Sequence, residues 1–283
     1  MAVGMAGVAG VAVTAVVAAA AAAAAGEPHP LASPSHPLAS PDRSITRYYL
    51  RRNRLFDRYE RGILLDDESF WSVTPQALAE HHARRLSPVV SAGSRPTVID
   101  AFCGCGGNSL AFARRGCRVI CVEILGSRLE MLKHNARVYN IDPEKSLTPV
   151  EADFIEMLHQ RDPRVWQRAR VLFLSPPWGG PGYQREVFDL TQVLEVLKLS
   201  DEFLVPESPS SESSTKRVSS SQQKPENQSE RRGVAIFLPR TINVTKLRQS
   251  VPKGRTWELE KNEVDGHVLG FTLYTGSIVN KNF

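Results

Sequence analysis

The chain is poor in cysteine, carries almost no charge in its first 41 residues, and has no long run of strongly apolar side chains. Its four cysteines, Cys103, Cys105, Cys117 and Cys121, fall within 19 positions, and no histidine stands among them at zinc-ligand spacing. That pattern speaks against a disulfide scaffold or a metal site and for small buried thiols in a reducing compartment. No lysine or arginine precedes Arg43, and Glu27 is the one charge in residues 1–41. Met1 to Ala25 is uncharged, but alanine dominates it and no basic flank orients an insertion. It therefore reads as a low-complexity, disordered or transiently helical tail rather than a signal or membrane anchor.

A second stretch, Val205 to Arg232, is crowded with Ser, Gln, Lys and Glu and reads as a solvated insertion. Setting both aside leaves roughly 210 residues, one folded unit on the usual domain scale and not a repeat array or fibre. The expected organisation is a tail at 1–43, a helical lobe at 44–95, and an α/β domain at 96–276 interrupted at 205–232. Because only Glu27 is charged before Asp42, residues 42–283 hold a net +6. A modest positive excess suits a polyanionic ligand without identifying one.

The pattern between these stretches alternates. Residues 44–60 read as a helix rich in arginine and aromatics, and Thr74 followed by Pro75 reads as an N-cap opening a helix to about Leu86. Strands are expected at Thr97–Ala101, Arg118–Val122, 147–151, Val171–Leu174 and Val234–Leu238. Helices are expected at Asn108–Arg115 and at Ser127–Tyr139, the latter with Leu129, Leu132, Ala136 and Tyr139 on one face. Trp257 to Thr275 reads as two strands meeting at Asp265-Gly266. Such alternation implies a mainly parallel sheet covered on both faces, with ligands at the carboxyl ends of its strands.

Asp100-Ala101-Phe102-Cys103-Gly104-Cys105-Gly106-Gly107-Asn108 follows a strand and opens a helix. Its glycines allow a sharp turn and close approach of backbone to a ligand. A glycine loop alone would serve a dinucleotide, a mononucleotide or S-adenosylmethionine. Glu123 ends the next strand, where two carboxylate oxygens can accept both ribose hydroxyls, and Asp153 follows the third, in reach of an adenine amino group. Asp100 would oppose the pyrophosphate of NAD but suits the ammonium of a methionine moiety, which favours S-adenosylmethionine.

Leu174-Ser175-Pro176-Pro177-Trp178 follows a buried strand into the same strand-end cleft. The prolines fix the backbone and donate no N–H, so nearby carbonyls stay free to accept. An exocyclic amine has two hydrogens, which the Ser175 side chain and the Pro176 carbonyl can hold, while Trp178 stacks on the base. A cationic base would add attraction to the indole face.

These residues resemble the trimethylguanosine synthases, which hypermethylate RNA caps. The likeness rests on Tyr48 to Phe56 with Gly62-Ile63, on Trp71-Ser72-Val73-Thr74-Pro75, on the Asp100–Asn108 loop, and on Phe173 to Tyr183, FLSPPWGGPGY. Phe237-Leu238-Pro239-Arg240 adds a fifth match, and PPWGGP is the most specific of them. The resemblance implies a class I S-adenosylmethionine-dependent methyltransferase, Rossmann-like with a mostly parallel seven-stranded sheet, plus a small N-terminal helical lobe.

It also implies two successive methyl transfers to N2 of the 7-methylguanosine cap of small nuclear or nucleolar RNA, in the nucleus or nucleolus. Ser175, Pro176 and Trp178 would act at the reacting amine. Thr74, Asp100, Phe102, Gly104, Gly106, Glu123 and Asp153 would hold the cofactor. Arg47, Ser72, Asn135, Trp178, Tyr183 and Arg240 would hold the capped RNA, with Arg47 and Arg240 on its phosphates. No metal is required, because a sulfonium is already activated. Ribonucleoprotein proteins are possible partners, the chain is expected to be a monomer, and no membrane role is expected. Departures from the family pattern are Gly182, where a polar or acidic residue is usual, Glu123 and Arg47 in place of Asp and Lys, and the long Ser-rich insertion. The rival readings are an amino methyltransferase of an internal rRNA or tRNA base, which would share both motifs, and a catalytically silent cap-binding adaptor.

Overall fold

The computed structural model describes residues 46–86, 95–178, 198, 203–204, 232–251 and 254–279. The expected tail at 1–43 lies outside them, as do Gly182, Tyr183 and all but the last residue of the insertion at 205–232.

Seven strands form one sheet: β1 (Thr97–Asp100), β2 (Arg118–Glu123), β3 (Leu147–Glu151), β4 (Val171–Leu174), β5 (Gly233–Pro239), β6 (Trp257–Val264) and β7 (His267–Gly276). Their order is β3-β2-β1-β4-β5-β7-β6. β1 to β5 run parallel, and β7 is antiparallel to both β5 and β6. Burial explains the short apolar runs. In β4, Val171 and Phe173 enter one core while Leu172 and Leu174 enter the other, so all four residues are covered. The terminal hairpin turns at Asp265 (φ 52°) and Gly266 (φ 75°), two left-handed residues that match the twist of the flanking strands.

Two cores lie against the two faces of this sheet. One gathers α5 (Gly107–Arg114), α6 (Gly126–Val138) and the N-terminal lobe; the other includes α8 (Phe154–His159). On α6 the expected face is buried, with Leu132 and Ala136 fully covered and Leu129 and Tyr139 nearly so. The sequence reading did not anticipate α7 (Pro143–Ser146), α8, the π-helical turn at Arg164–Arg168 or α9 (Val244–Ser250). All are short, and too few turns are present for an apolar period to show.

The lobe differs from its expected form. Residues 44–60 do not make one helix: α1 (Thr46–Tyr49) and α2 (Arg52–Leu55) are separated at Arg51, and a 3-10 turn follows at Tyr59–Arg61. The chain leaves α2 because Phe56 adopts an extended conformation and is buried in the core. After α3 (Ser69–Ser72), α4 runs from Gln76 to Arg85. Thr74 is not its N-cap. Pro75 occupies that position with an extended ψ of 141° and no side-chain cap, and Thr74 Oγ1 instead accepts a 2.8 Å bond from Asn108 Nδ2.

The lobe is held to the sheet domain by a shared apolar core and by a set of buried polar groups. Asn135 on α6 is fully buried; its Nδ2 donates to the carbonyls of Leu64 and Cys105, and its Oδ1 accepts from Leu64 N–H. Arg128 on the same helix donates to Asp66 at 2.6 Å and Glu68 at 2.7 Å. His82 on α4, fully buried, lies 3.1 Å from Asn108 Oδ1 and 3.0 Å from Thr272 Oγ1. Burial pushes its imidazole down to about 4, so the ring is neutral. At the far end of α4, Arg85 pairs with Glu258 and His81 with Glu260 on β6.

Replacing Asn135 by Ala is expected to lower stability by about 2 kcal/mol, since three hydrogen bonds are lost and backbone groups beneath the lobe go unpaired. Urea unfolding measures this; unchanged stability would contradict the role given to Asn135 here.

Candidate active site

The strand order reverses at β1, whose neighbours are β2 and β4. Loops leaving β1 and β4 at their carboxyl ends therefore diverge to opposite sides and leave a crevice between them. The glycine loop follows β1 and Ser175 to Trp178 follows β4, so topology brings the two motifs together. A cavity of about 680 Å³ occupies this position, lined by residues of both motifs and roofed by the lobe and the β6–β7 hairpin.

The glycine loop is shaped by its backbone. Gly104 and Gly106 have φ of 50° and 104°, which L side chains rarely adopt, and a Cβ on Gly106 would strike Leu132. A Cβ on Gly107 would come within 2.8 Å of Val73 Cγ2 and 3.2 Å of Thr74 O, so that glycine lets the lobe close onto the loop. Glu123 ties the arrangement together by accepting from Gly104 N–H and Leu125 N–H, both at 3.1 Å. A carboxylate has about four acceptor sites, so two remain for hydroxyls. Burial raises its pKa even though Arg128 and these N–H groups oppose the rise.

Asp100 is almost wholly buried below the loop. Oδ2 accepts from Ser109 Oγ at 2.7 Å, while Oδ1 has no hydrogen-bond partner. Burial, opposed by the Ser109 bond and reinforced by Glu123, pushes its pKa up to about 7. A buried acceptor without a donor is costly, and a cationic ligand would relieve that cost. Asp153 caps α8 by accepting from Ile155 N–H through Oδ1, leaving its other oxygen uncommitted on the cavity wall. Phe102 packs edge-on against Phe154 at 6.1 Å and presents an apolar surface beside it.

On the opposite wall Trp178 meets Phe237 edge-to-face, with ring centroids 4.8 Å apart. Ser175, Pro176 and Pro177 line the cavity beside it, and Ser72, Thr74 and Arg240 line it from neighbouring elements. Four expected residues are placed differently, the first being Asp100, which lies beneath the cavity wall and not on it. Asn135 lies off the cavity with both amide hydrogens engaged, so it shapes the pocket and does not touch its contents. Gly106 likewise acts through its backbone turn and not through the wall. Arg47 lies off the wall, where Nη2 donates to the Tyr48 hydroxyl at 2.7 Å. Tyr183 lies outside the described residues.

Several wall residues were not anticipated, among them Arg51 and Arg54 of the lobe, Arg128 on α6 and the tip of the β6–β7 hairpin. The excess of arginine in the lobe is visible in the sequence, but which of its arginines face inward is set by the break at Arg51.

A sheet of this order, with a glycine loop after β1, an acid ending β2 and a capping acid after β3, defines a class I S-adenosylmethionine-dependent methyltransferase. The chain belongs to the RNA cap guanine-N2 methyltransferase family, whose model matches residues 95–264. It is 37% identical over 152 residues to a trimethylguanosine synthase of Schizosaccharomyces pombe, covering 53% of this chain and 61% of that one. Against a trimethylguanosine synthase of Saccharomyces cerevisiae it is 30% identical over 156 residues, covering 54% and 48%. The chain thus spans about half to three fifths of the curated relatives it matches. A solved protein of Porphyromonas gingivalis W83, provisionally described as a methyltransferase, shares the fold with a TM-score of 0.55 at 14% identity, covering 82% of this chain and 48% of that one.

A role for Asp100 at the cofactor ammonium predicts a pH dependence of binding, because burial raises its pKa. Only the ionised carboxylate attracts an ammonium, and its fraction falls about tenfold between pH 8 and pH 6 for a group titrating near 7. S-adenosylhomocysteine, which keeps the same ammonium, is expected to bind up to about tenfold more weakly at pH 6. Calorimetric titration of the wild type and Asp100→Asn checks this; the variant should bind weakly at both pH values, and an equal pH slope in both would remove Asp100 from the role.

Proposed function

We propose that the protein transfers methyl groups from S-adenosylmethionine to the exocyclic N2 of a 7-methylguanosine RNA cap, twice in succession, giving the 2,2,7-trimethylguanosine cap. Trp178 carries this reading. It stands directly after Ser175-Pro176-Pro177, on the same cavity as the glycine loop and across the crevice from it.

In this reading Asp100, with its unpartnered buried oxygen, takes the cofactor ammonium, Gly104 and Gly106 shape the loop beneath it, and Glu123 takes the ribose. Asp153 and Phe102 face the adenine, and Thr74 closes the pocket from the lobe. When bound, S-adenosylmethionine supplies a methyl group already activated by its sulfonium. The chain's own task is therefore alignment.

Trp178 stacks on the 7-methylguanine, whose positive charge is drawn to the indole face. In the first transfer the Ser175 hydroxyl and the Pro176 carbonyl each accept one hydrogen of N2, which orients the nitrogen lone pair away from them; in the second, one of the two accepts the single hydrogen that remains. Proline at 177 has no N–H to compete for these acceptors. As N2 gains its substituent it sheds a proton, through Ser175 Oγ or directly to water. Ser72 borders the base. Arg240, exposed on the wall, meets the cap phosphates, while Arg47 must leave Tyr48 to join it. Small nuclear and nucleolar RNAs are the substrates this reading favours, with a nuclear or nucleolar setting, ribonucleoprotein proteins as associated partners and a monomeric enzyme.

Trp178→Ala is expected to reduce methyl transfer to 7-methylguanosine diphosphate about a hundredfold, from base stacking worth roughly 1–3 kcal/mol and a cation contribution of similar size. S-adenosylhomocysteine affinity should stay unchanged, and Trp178→Phe should retain part of the rate. Mass spectrometry of the wild-type product should show N2 mono- and then dimethylation. Near-normal turnover by Trp178→Ala would sink the stacking role, and absence of any N2 product would sink the function.

A further inference from the structure

The lobe segment from Thr46 to Gly62 holds six arginines, Arg47, Arg51, Arg52, Arg54, Arg58 and Arg61, against two acids, Asp57 and Glu60. Most are occupied. Arg52 pairs with Glu60 and covers the rings of Tyr49 and Tyr59, Arg58 donates to the Val138 carbonyl over Tyr139, and Arg47 is engaged with Tyr48. Two of the six, Arg51 and Arg54, line the cavity. They stand three residues apart, Arg51 at the N-cap of the short helix α2 and Arg54 within it. Arg51 is exposed and has no ion pair or hydrogen bond from its side chain among the described residues. Arg54 reaches across to the hairpin tip, where Nη1 lies 3.0 Å from Asp265 Oδ2. That pair is exposed on both sides, 65% and 58%, so it is weak and easily exchanged. His267 also lines this edge and is exposed.

Arg240 follows Pro239, the register partner of Gly270. From Gly270 back to His267 is three residues of strand, about 10 Å at the usual rise, and the turn at Asp265 lies beyond it. Arg54, at the hairpin tip, therefore stands further from the glycine loop end of β5 than Arg240 does, and a phosphate at Arg54 is assigned to the chain beyond the cap. Besides Asp265, the lining on the lobe side carries Asp57, which accepts from the Tyr139 hydroxyl, and Glu68, which is paired with Arg128.

We propose that the notch between Arg51 and Arg54 of the lobe and the Asp265–His267 hairpin tip is where the RNA chain leaves the cavity, its first backbone phosphates taking Arg54 from Asp265. This rests on the cap reading above and extends it to the RNA chain. The notch makes the enzyme respond to the length of a capped substrate, and the Arg54–Asp265 pair is a competitor that the RNA must displace.

The test measures fluorescence anisotropy of capped and uncapped 12-nucleotide single strands against salt, beside methyl transfer to 7-methylguanosine diphosphate, which has no RNA chain. Arg51→Gln with Arg54→Gln should lower the salt slope of binding by about 1.4, at about 0.7 for each single-strand phosphate contact, and weaken binding roughly twenty-five-fold at 0.1 M salt. Asp265→Asn frees Arg54, and asparagine tolerates the positive φ at that position. It should tighten binding about two- to fivefold. Methyl transfer to the diphosphate should be unchanged in all variants. Unaltered slopes, or equal losses on the diphosphate and the 12-mer, overturn the proposal. If the wild type methylates no cap at all, the cap reading fails, while the uncapped strand still decides whether the notch grips RNA.

Discussion

The reversal of strand order at β1 is the constraint on which the site depends. Parallel strands on either side of a reversal send their following loops to opposite faces, which opens a crevice where no backbone has to be displaced. β1 and β4 are neighbours in the sheet although more than 70 residues separate them in the chain. Asp100 pairs with Phe173 in register, so the acid that opens the glycine loop sits beside the strand that delivers Ser175 and Trp178.

That crevice would be shallow without the lobe. The lobe closes it through buried polar groups as well as apolar packing, and each of those groups is satisfied by a partner in the domain. Asn108 is the pivot: it opens α5 at the end of the glycine loop, donates to Thr74 on the cavity wall, and presents its oxygen to neutral His82. His82 passes the constraint on to Thr272 in β7. One chain of hydrogen bonds therefore links the cofactor loop, the lobe helix and the hairpin that roofs the cavity. Such a network is costly if broken and specific when complete.

Much of the fold was legible in the sequence because burial imposes it locally. Short apolar runs ending in Asp100, Glu123 and Leu174 marked the strands of a doubly covered sheet, and Asp265-Gly266 marked the hairpin. The short helices α7, α8 and α9 left no period to read. Thr74-Pro75 misled for a physical reason: the threonine hydroxyl was claimed by Asn108, so the helix began one residue later without a side-chain cap. The single helix expected at 44–60 is interrupted at Leu50-Arg51 and ends again after Leu55, where Phe56 turns extended and enters the core.

The sequence by itself determined the chemistry on offer, because residue type and local spacing set it: an acid before a glycine loop, two further acids at strand ends, and Ser-Pro-Pro-Trp after a buried strand. Tertiary structure decided which side chains reach the cavity and which are spent holding it. Asn135 and Arg47 have the right chemistry for a substrate, yet one is committed to the Leu64 and Cys105 backbone and the other to Tyr48. Arg51 and Arg54 carry no motif but face the opening. A side chain's direction depends on where a helix breaks and what packs behind it, and those contacts join residues far apart in the chain.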